Sequence, residues 1–325
     1  MESSFKFIVT KKKRAVFILL KPQISATTKY KFWRTQIKMK SNSVSTQSFR
    51  FVLLLSIICL FGSLAFGQNK AEQKIKNKEF CSNHNYSSDN KISYKETREV
   101  NIPAGNLVNV DARRNGGIRV KGENRSDVLV RACVQTLGAT DEEARAVAKN
   151  IRIETGSTIR AEGAGEESNW SVSYEILVPR STNLKLSTHN GGIGISSVEG
   201  TMEFEAHNGG VSLSDVGGDV KGKTTNGGVS VSLSGSGWRG SGLDVETKNG
   251  GVNLSIPENY AARIETGTIN GGFKSEISSL NTGTDDEDRR RGKRISADLN
   301  GGGATVRVIT TNGGVKISSA TGKTL

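Results

Sequence analysis

The chain has 325 residues and 38 glycines, while proline (4) and aromatic residues (6%) are scarce. No Gly-X-Y period accompanies the glycine, which excludes collagen and favours turn-rich β structure over helices. The net charge of +13 is uneven, because residues 1–38 carry +9 and residues 68–325 only +2. The high pI therefore does not indicate a nucleic-acid-binding domain.

The first 67 residues have the features of a targeting sequence. Residues 39–67 combine a charged start, an apolar run at 51–61 and small residues before Gln68, which is typical of a secretory signal peptide. The apolar run is short for a membrane span, so membrane attachment is expected only if the segment stays uncleaved. We predict export to the periplasm, the outer surface or the medium of a bacterium. Residues 1–38 are interpreted as a non-native extension, with the choice of start between Met1 and Met39 left open.

Two cysteines, Cys81 and Cys133, remain after the predicted cleavage. In an oxidising compartment they suggest one disulfide, and two free thiols are the alternative. Cys81 falls in a polar stretch, residues 68–95, that we interpret as a linker.

From residue 96 to about residue 320 the sequence predicts one β domain. Short alternating strands recur throughout, and one helix is predicted at about 140–150. Thr140 opens that helix with a capping box completed by Glu143, and its first turn is acidic.

The tripeptide Asn-Gly-Gly organises this domain, with its strongest repeats between residues 184 and 317. Asn and Gly tolerate positive φ, so the tripeptide is predicted to reverse the chain, and its recurrence indicates a repeat architecture. The last interval, 12 residues, is too short for a full coil, so the last copy is expected to cap the end. The eight copies begin at Asn115, Asn190, Asn208, Asn226, Asn249, Asn270, Asn300 and Asn312.

Charged residues alternate with apolar or small residues before three of these tripeptides. Their sign changes from one repeat to the next, from Glu203 and Glu205 to Lys221 and Lys223, and then to Asp244 and Glu246. If the repeats stack about 4.8 Å apart, these side chains form a ladder of opposite charges on an outer face.

The ladder distinguishes two possible folds. In an antiparallel meander or sandwich, each strand would pair mainly with the strand just after its own turn, and the alternation of sign would be a coincidence. In a β-solenoid, equivalent positions of successive coils are neighbours. We therefore predict an all-β solenoid of short strands with one helix, and the antiparallel sandwich or meander is the alternative. Residues 281–294 are predicted to form an exposed charged loop.

Two runs in the repeats, residues 242–257 and 260–272, resemble a bacterial family described as a putative-adhesin domain of unknown function. That family is related to the heads of auto-transporter adhesins. The resemblance covers about residues 97–320 and implies an exported or envelope-associated β-helix-like protein. It implies no catalytic residues, so none is assigned.

The residues themselves indicate little chemistry. His189 and His207 could stack and hold a metal, but no third ligand follows them in the next repeats, so no metal or cofactor is predicted. We hypothesise a non-catalytic envelope protein that acts in adhesion or cell-surface binding, with an unidentified glycan or protein as partner. A polysaccharide lyase or glycosidase that uses Glu203, Lys221 and Asp244 is one alternative, and a periplasmic scaffold or signalling partner is another.

Overall fold

The computed structural model describes residues 80–82, 88, 90–163, 169–280 and 293–320. The predicted N-terminal extension and signal peptide lie outside these residues, as do most of the predicted linker and most of the predicted charged loop. In the described part of the chain, no helix is long and apolar enough to cross a membrane.

The described residues form two large sheets and little helix. The helices of the β domain are α1 (Asp141–Asn150) and a 3-10 turn (Ser278–Leu280), and residues 80–82 are helical as well. The strands are β1 (Ile92–Pro103), β2 (Leu107–Asp111), β3 (Ile118–Glu123), β4 (Asp127–Gly138), β5 (Arg152–Thr155), β6 (Ile159–Glu162), β7 (Trp170–Pro179), β8 (Asn183–Asn190), β9 (Ile193–Ser196), β10 (Glu199–Asn208), β11 (Val211–Ser214), β12 (Gly217–Asn226), β13 (Val229–Ser232), β14 (Gly242–Asn249), β15 (Val252–Pro257), β16 (Ala262–Asn270), β17 (Phe273–Ser275), β18 (Lys293–Leu299), β19 (Thr305–Asn312) and β20 (Val315–Ala320).

Each sheet contains ten strands. Sheet A has the order β1-β4-β7-β3-β9-β11-β13-β15-β20-β17, and sheet B has the order β18-β16-β19-β14-β12-β10-β8-β2-β6-β5. A coil of the solenoid is one strand of sheet B, an Asn-Gly-Gly turn and one strand of sheet A. The repeat strands pair in parallel and in register, so that Asn190, Asn208 and Asn226 lie side by side. The fold is thus the predicted β-solenoid, and the meander alternative is wrong.

The order of the coils departs from the order of the chain at the C-terminal end. Strand β19 lies between β14 and β16 in sheet B, and β20 lies between β15 and β17 in sheet A. The expectation that the last copy caps the stack is therefore wrong, because its coil is inserted inside the stack. Strand β18 instead runs antiparallel to β16 and forms the edge of sheet B.

The core lies between the two sheets and consists of apolar columns that cross the coils. One column of sheet B includes Leu184, Met202 and Val220, all almost completely buried. In the neighbouring column Gly222 follows Phe204, and a Cβ atom on Gly222 would lie 2.0 Å from the Phe204 ring. The large ring therefore occupies the space that a side chain at the next coil would need.

The first end of the stack is closed by antiparallel strands and α1. Strand β4 pairs antiparallel with both β1 and β7, and α1 packs its buried Ala144 and Ala148 against this end. Thr140 caps the helix by accepting a hydrogen bond from the Glu143 backbone N–H at 3.2 Å, and Glu143 accepts one from the Ala139 N–H at 2.7 Å. Arg98 of β1 donates to the Ala148 carbonyl at 2.7 Å, which supplies a cation at the C-terminal end of the helix.

A disulfide joins Cys81 to Cys133 of β4, with Cα atoms 5.3 Å apart. Phe80 and both cysteines are buried together. Strand β1 begins at Ile92, so this segment and the start of the β domain both lie within the range interpreted as a linker.

Candidate functional site

Seven of the eight predicted turn asparagines form a continuous ladder along one corner of the solenoid. Six hydrogen bonds join them, and in each the Nδ2 atom of one Asn donates to the Oδ1 atom of the Asn in the neighbouring coil, at distances of 2.8–3.0 Å. This ladder holds equivalent positions of successive coils in register. Its order is Asn115, Asn190, Asn208, Asn226, Asn249, Asn312 and Asn270.

The glycine after each of these asparagines is required for a reason other than positive φ. None of the seven ladder asparagines or their glycines has a positive φ, so the conformational explanation does not hold for them. A Cβ atom on Gly209 would instead lie 1.9 Å from the carbonyl oxygen of Gly191, and one on Gly227 would lie 2.1 Å from that of Gly209. The backbones of stacked coils approach too closely for any side chain at this position.

The copy at Asn300 is a different structure. Asn300, Gly301 and Gly302 all have positive φ and form the turn between β18 and β19. The Asn300 side chain donates to the backbone carbonyls of Glu258 and Tyr260 at 3.0 Å and does not join the ladder. Here the tripeptide acts through the left-handed conformation that favours glycine.

The outer face of sheet B, which we call the charged face, carries the predicted charge ladder. Register places Glu203 beside Lys221, and Lys221 beside Asp244. Arg307 of the inserted coil lies between Asp244 and Glu265. The sign therefore alternates over six strands in what we call the first column: Lys185, Glu203, Lys221, Asp244, Arg307 and Glu265.

The second column of the charged face is shorter. Glu205, Lys223 and Glu246 are neighbours in it, and the next position is Ile309, which is apolar. Lys223 Nζ lies 3.3 Å from Glu205 Oε1. Both side chains are more than 60% exposed, so this pair contributes little to stability.

Ion pairing divides the charged face into two halves. Arg307 pairs with both Asp244 and Glu246, and its side chain is only 24% exposed. Burial alone would lower the pKa of Arg307, but the hydrogen bonds from its guanidinium to Glu246 and Asp244 outweigh that effect and raise it. The charges of this half are therefore engaged in ion pairs between its own strands.

In the half formed by β8, β10 and β12, the first column is not joined by ion pairs between strands. Among the described residues, Lys185 and Glu203 form no ion pair with each other or with a third residue. Lys221 points its ammonium at Asp219 of its own strand, 3.3 Å away, and is 65% exposed. The structure therefore brings Glu203, Lys221 and Asp244 side by side but does not join them in direct ion pairs.

An open groove of about 430 Å³ lies over this half. Its lining includes the charged residues that both columns carry on β8, β10, β12 and β14, together with Asn109 and Ser187, which carry neutral hydrogen-bonding groups. Such a volume suits a small ligand or a few units of a polymer.

The arrangement offers little for metal binding. The imidazole rings of His189 and His207 stack with centroids 4.5 Å apart and planes 8° apart. The lone pairs of nearly parallel rings do not converge on one point. In the described part of the chain, no group of three or more His, Cys, Asp or Glu side chains is placed to hold a metal ion.

Sequence reasoning missed half of the first column. Lys185, Glu265 and Arg307 each lie five residues before a ladder asparagine, the same offset as Glu203, Lys221 and Asp244. Extending that offset to every copy would have found them. Their order in space could not follow from the offset, because the coil of Arg307 is inserted out of chain order.

A family model described as Toastrack DUF4097 matches residues 65–318. This chain belongs to the Toastrack DUF4097 family. Among curated proteins, none matches the toastrack chain.

Three solved structures are similar to it at low identity. One, from Clostridium sporogenes ATCC 15579, is described as a "putative cell adhesion protein"; it is 12% identical with a TM-score of 0.41, over 70% of this chain and 100% of that one. A "putative adhesin" from Bacteroides fragilis NCTC 9343 is 10% identical with a TM-score of 0.27, over 70% and 97% of the two chains. A "putative lipid binding protein" from Parabacteroides distasonis ATCC 8503 has the same identity and TM-score, over 69% and 96%.

Proposed function

We propose that this toastrack protein is an exported, non-catalytic binding protein of the bacterial envelope, and that its charged face attaches to glycans or proteins of a cell surface. The observation that carries the proposal is the half of the first column that is not joined by ion pairs between strands. Lys185, Glu203 and Lys221 are exposed on a rigid sheet, and the fold does not use their charges for ion pairs between strands. Rigid presentation lowers the entropic cost of binding a ligand there.

Export is supported by two features. The sequence at 39–67 has the composition of a signal peptide, and the Cys81–Cys133 disulfide is typical of oxidising compartments. We expect the intact mass of exported protein to correspond to a mature chain that begins at Gln68 and retains the disulfide. A mature chain that begins far from Gln68 would contradict the assignment.

Binding is tested with the purified protein on a panel of immobilised cell-wall and extracellular polysaccharides, with retention and released reducing ends measured together. Retention without release is the expected result. The variant Glu203→Gln/Lys221→Gln should lose retention, because it removes two charges of the first column that form no ion pairs between strands. The matched control is Lys121→Gln/Glu123→Gln, which removes an exposed ion pair from sheet A. Loss of retention in both variants, or in neither, would contradict a role for the charged face.

A second candidate function is a polysaccharide lyase or glycosidase. The observation that favours it is the register that sets Glu203, Lys221 and Asp244 on three adjacent strands. Release of sugar ends that disappears in Lys221→Ala or Asp244→Ala would replace the binding proposal with this one. If no glycan is retained or cleaved, the glycan proposal fails and a protein partner of a scaffold becomes the remaining interpretation.

A further inference from the structure

The first column has a period of two strands. Cations lie on β8, β12 and β19, and anions lie on the strands between them, β10, β14 and β16. Since neighbouring strands are about 4.8 Å apart, charges of one sign recur every ~9.6 Å along the stack. A ligand that follows the column meets a new charge at every strand and the same sign at every second strand.

This spacing discriminates among polymers. An extended peptide presents side chains on one face about every 6.6–6.8 Å, which falls out of step with the column. A polyanion with a charge on every unit would place some of its groups against Glu203 and Asp244, and such like-charge contacts are costly. A linear glycan fits better, because one sugar is close in length to one strand spacing and a disaccharide is close to the period.

The surroundings of the groove agree with a sugar chain. The neutral groups of Asn109 and Ser187 line it beside the charges and can exchange hydrogen bonds with hydroxyls. Lys185, Glu203 and Lys221 form no ion pairs between strands and lie on three successive strands, enough for one disaccharide and the start of the next. Beyond them Arg307 already neutralises Asp244, so selectivity should come from the first three strands.

We infer that the charged face selects linear glycans that carry an acidic group on alternate sugars, and that an amine on the intervening sugar strengthens binding. The acidic groups would meet Lys185 and Lys221, and the intervening sugar would meet Glu203. This inference rests on the proposed glycan-binding function and adds the charge order of the ligand to it.

The test compares four probes of equal chain length by titration calorimetry or biolayer interferometry. They are hyaluronan oligosaccharides (acid on alternate sugars), the same oligosaccharides N-deacetylated (acid and amine in alternation), oligogalacturonate (acid on every sugar) and neutral dextran. We expect the tightest binding to the N-deacetylated probe, then hyaluronan, with oligogalacturonate and dextran at least about tenfold weaker.

The decisive variant exchanges two charges and keeps the net charge. Glu203→Lys/Lys221→Glu turns the order into two cations followed by two anions, and should weaken binding of the alternating probes at least about tenfold. Lys121→Glu/Glu123→Lys, the same exchange on sheet A, should leave binding unchanged. If the melting temperature of the exchange variant differs from that of the parent protein, the variant Lys185→Gln is used in its place. Lys185 forms no ion pair among the described residues, so its loss should reduce affinity for the acidic probes without lowering the melting temperature.

The outcomes separate this inference from the proposed function. Equal affinity for hyaluronan and oligogalacturonate, or unchanged affinity after the charge exchange, would overturn the charge-order inference while glycan binding stands. Binding of dextran alone would also overturn the charge-order inference and leave glycan binding in place. Failure to bind any probe, together with no retention on the polysaccharide panel, would overturn both.

Discussion

Gly227 and Gly272 occupy the same corner of the solenoid with opposite tolerance for a side chain. A Cβ atom on Gly227 would lie 2.1 Å from the Gly209 carbonyl oxygen, whereas one on Gly272 would meet nothing within 4 Å. Both have ordinary backbone angles, so the difference is one of space alone. We expect Gly227→Ala to lower the free energy of unfolding by about 3 kcal/mol or more, and Gly272→Ala by less than about 1 kcal/mol. Urea denaturation measures both, and equal losses would contradict the explanation by close backbone approach.

Phe204 and Gly222 form a size-matched pair within the core. Gly222→Ala alone should cost about 1–3 kcal/mol, because its Cβ atom would collide with the Phe204 ring. In a Phe204→Leu background the same substitution should cost markedly less, since the smaller side chain leaves room. A double-mutant cycle by denaturation measures this coupling, expected at about 0.5–3 kcal/mol. Strict additivity would show that the ring does not occupy the space at Gly222.

At the residue scale, the sequence predicted which tripeptide recurs but not why. Positive φ explains the glycines at Asn300 alone, and close approach explains the first glycine of each other copy. Local propensity cannot distinguish the two cases, because the atom that excludes a side chain from Gly227 belongs to Gly209 of another coil.

At the scale of elements, the Cys81–Cys133 disulfide ties the segment before β1 to the middle of β4. It closes a loop of 52 residues, which limits the unfolded chain more than the folded one. We expect Cys81→Ala/Cys133→Ala to lose about 2–4 kcal/mol of stability in chemical denaturation.

A reducing agent provides the control for this prediction. It should lower the stability of the parent protein by a similar amount and leave the double variant unchanged. If reduction leaves the denaturation midpoint of the parent protein unchanged, the disulfide does not stabilise the fold and the prediction is wrong.

The elements differ in how well local sequence specifies them. The start of α1 could be predicted because Thr140 and Glu143 carry its cap within a few residues. The β domain is predicted from residue 96, whereas β1 begins at Ile92 and pairs along its whole length with β4, a distant partner.

At the scale of the whole molecule, the charge pattern and the coil order depend on each other. In chain order the first column would set Asp244 beside Glu265, two acids on adjacent strands. The inserted coil places Arg307 between them and restores the alternation. The insertion also continues the asparagine ladder through Asn312.

The solenoid could be predicted from its sequence repeats, because equivalent residues of the repeats pair with each other on neighbouring strands. The insertion could not, because periodicity records which residues are equivalent and not which coils are neighbours. The short interval between Asn300 and Asn312 suggested a cap, whereas the turn at Asn300 belongs to the antiparallel strand β18 and a full coil follows it. The charges at the fixed offset were the available signal, since with the other coils in chain order only one position of the Arg307 coil makes the sign alternate throughout.

The most direct measurement of this account is cysteine cross-linking of the coils around the insertion. Lys248 and Thr311 occupy equivalent positions on adjacent strands, about 4.8 Å apart, whereas Lys248 and Ile269 lie two strands apart, about 9.6 Å. A disulfide requires Cα atoms within about 7 Å. Non-reducing peptide mapping of Lys248→Cys/Thr311→Cys should therefore show the new cross-link beside the native Cys81–Cys133 bond, and Lys248→Cys/Ile269→Cys should show none. Cross-linking of the second pair and not the first would mean that the coils stack in chain order, which would contradict the inserted coil and the alternation of charge beyond Asp244.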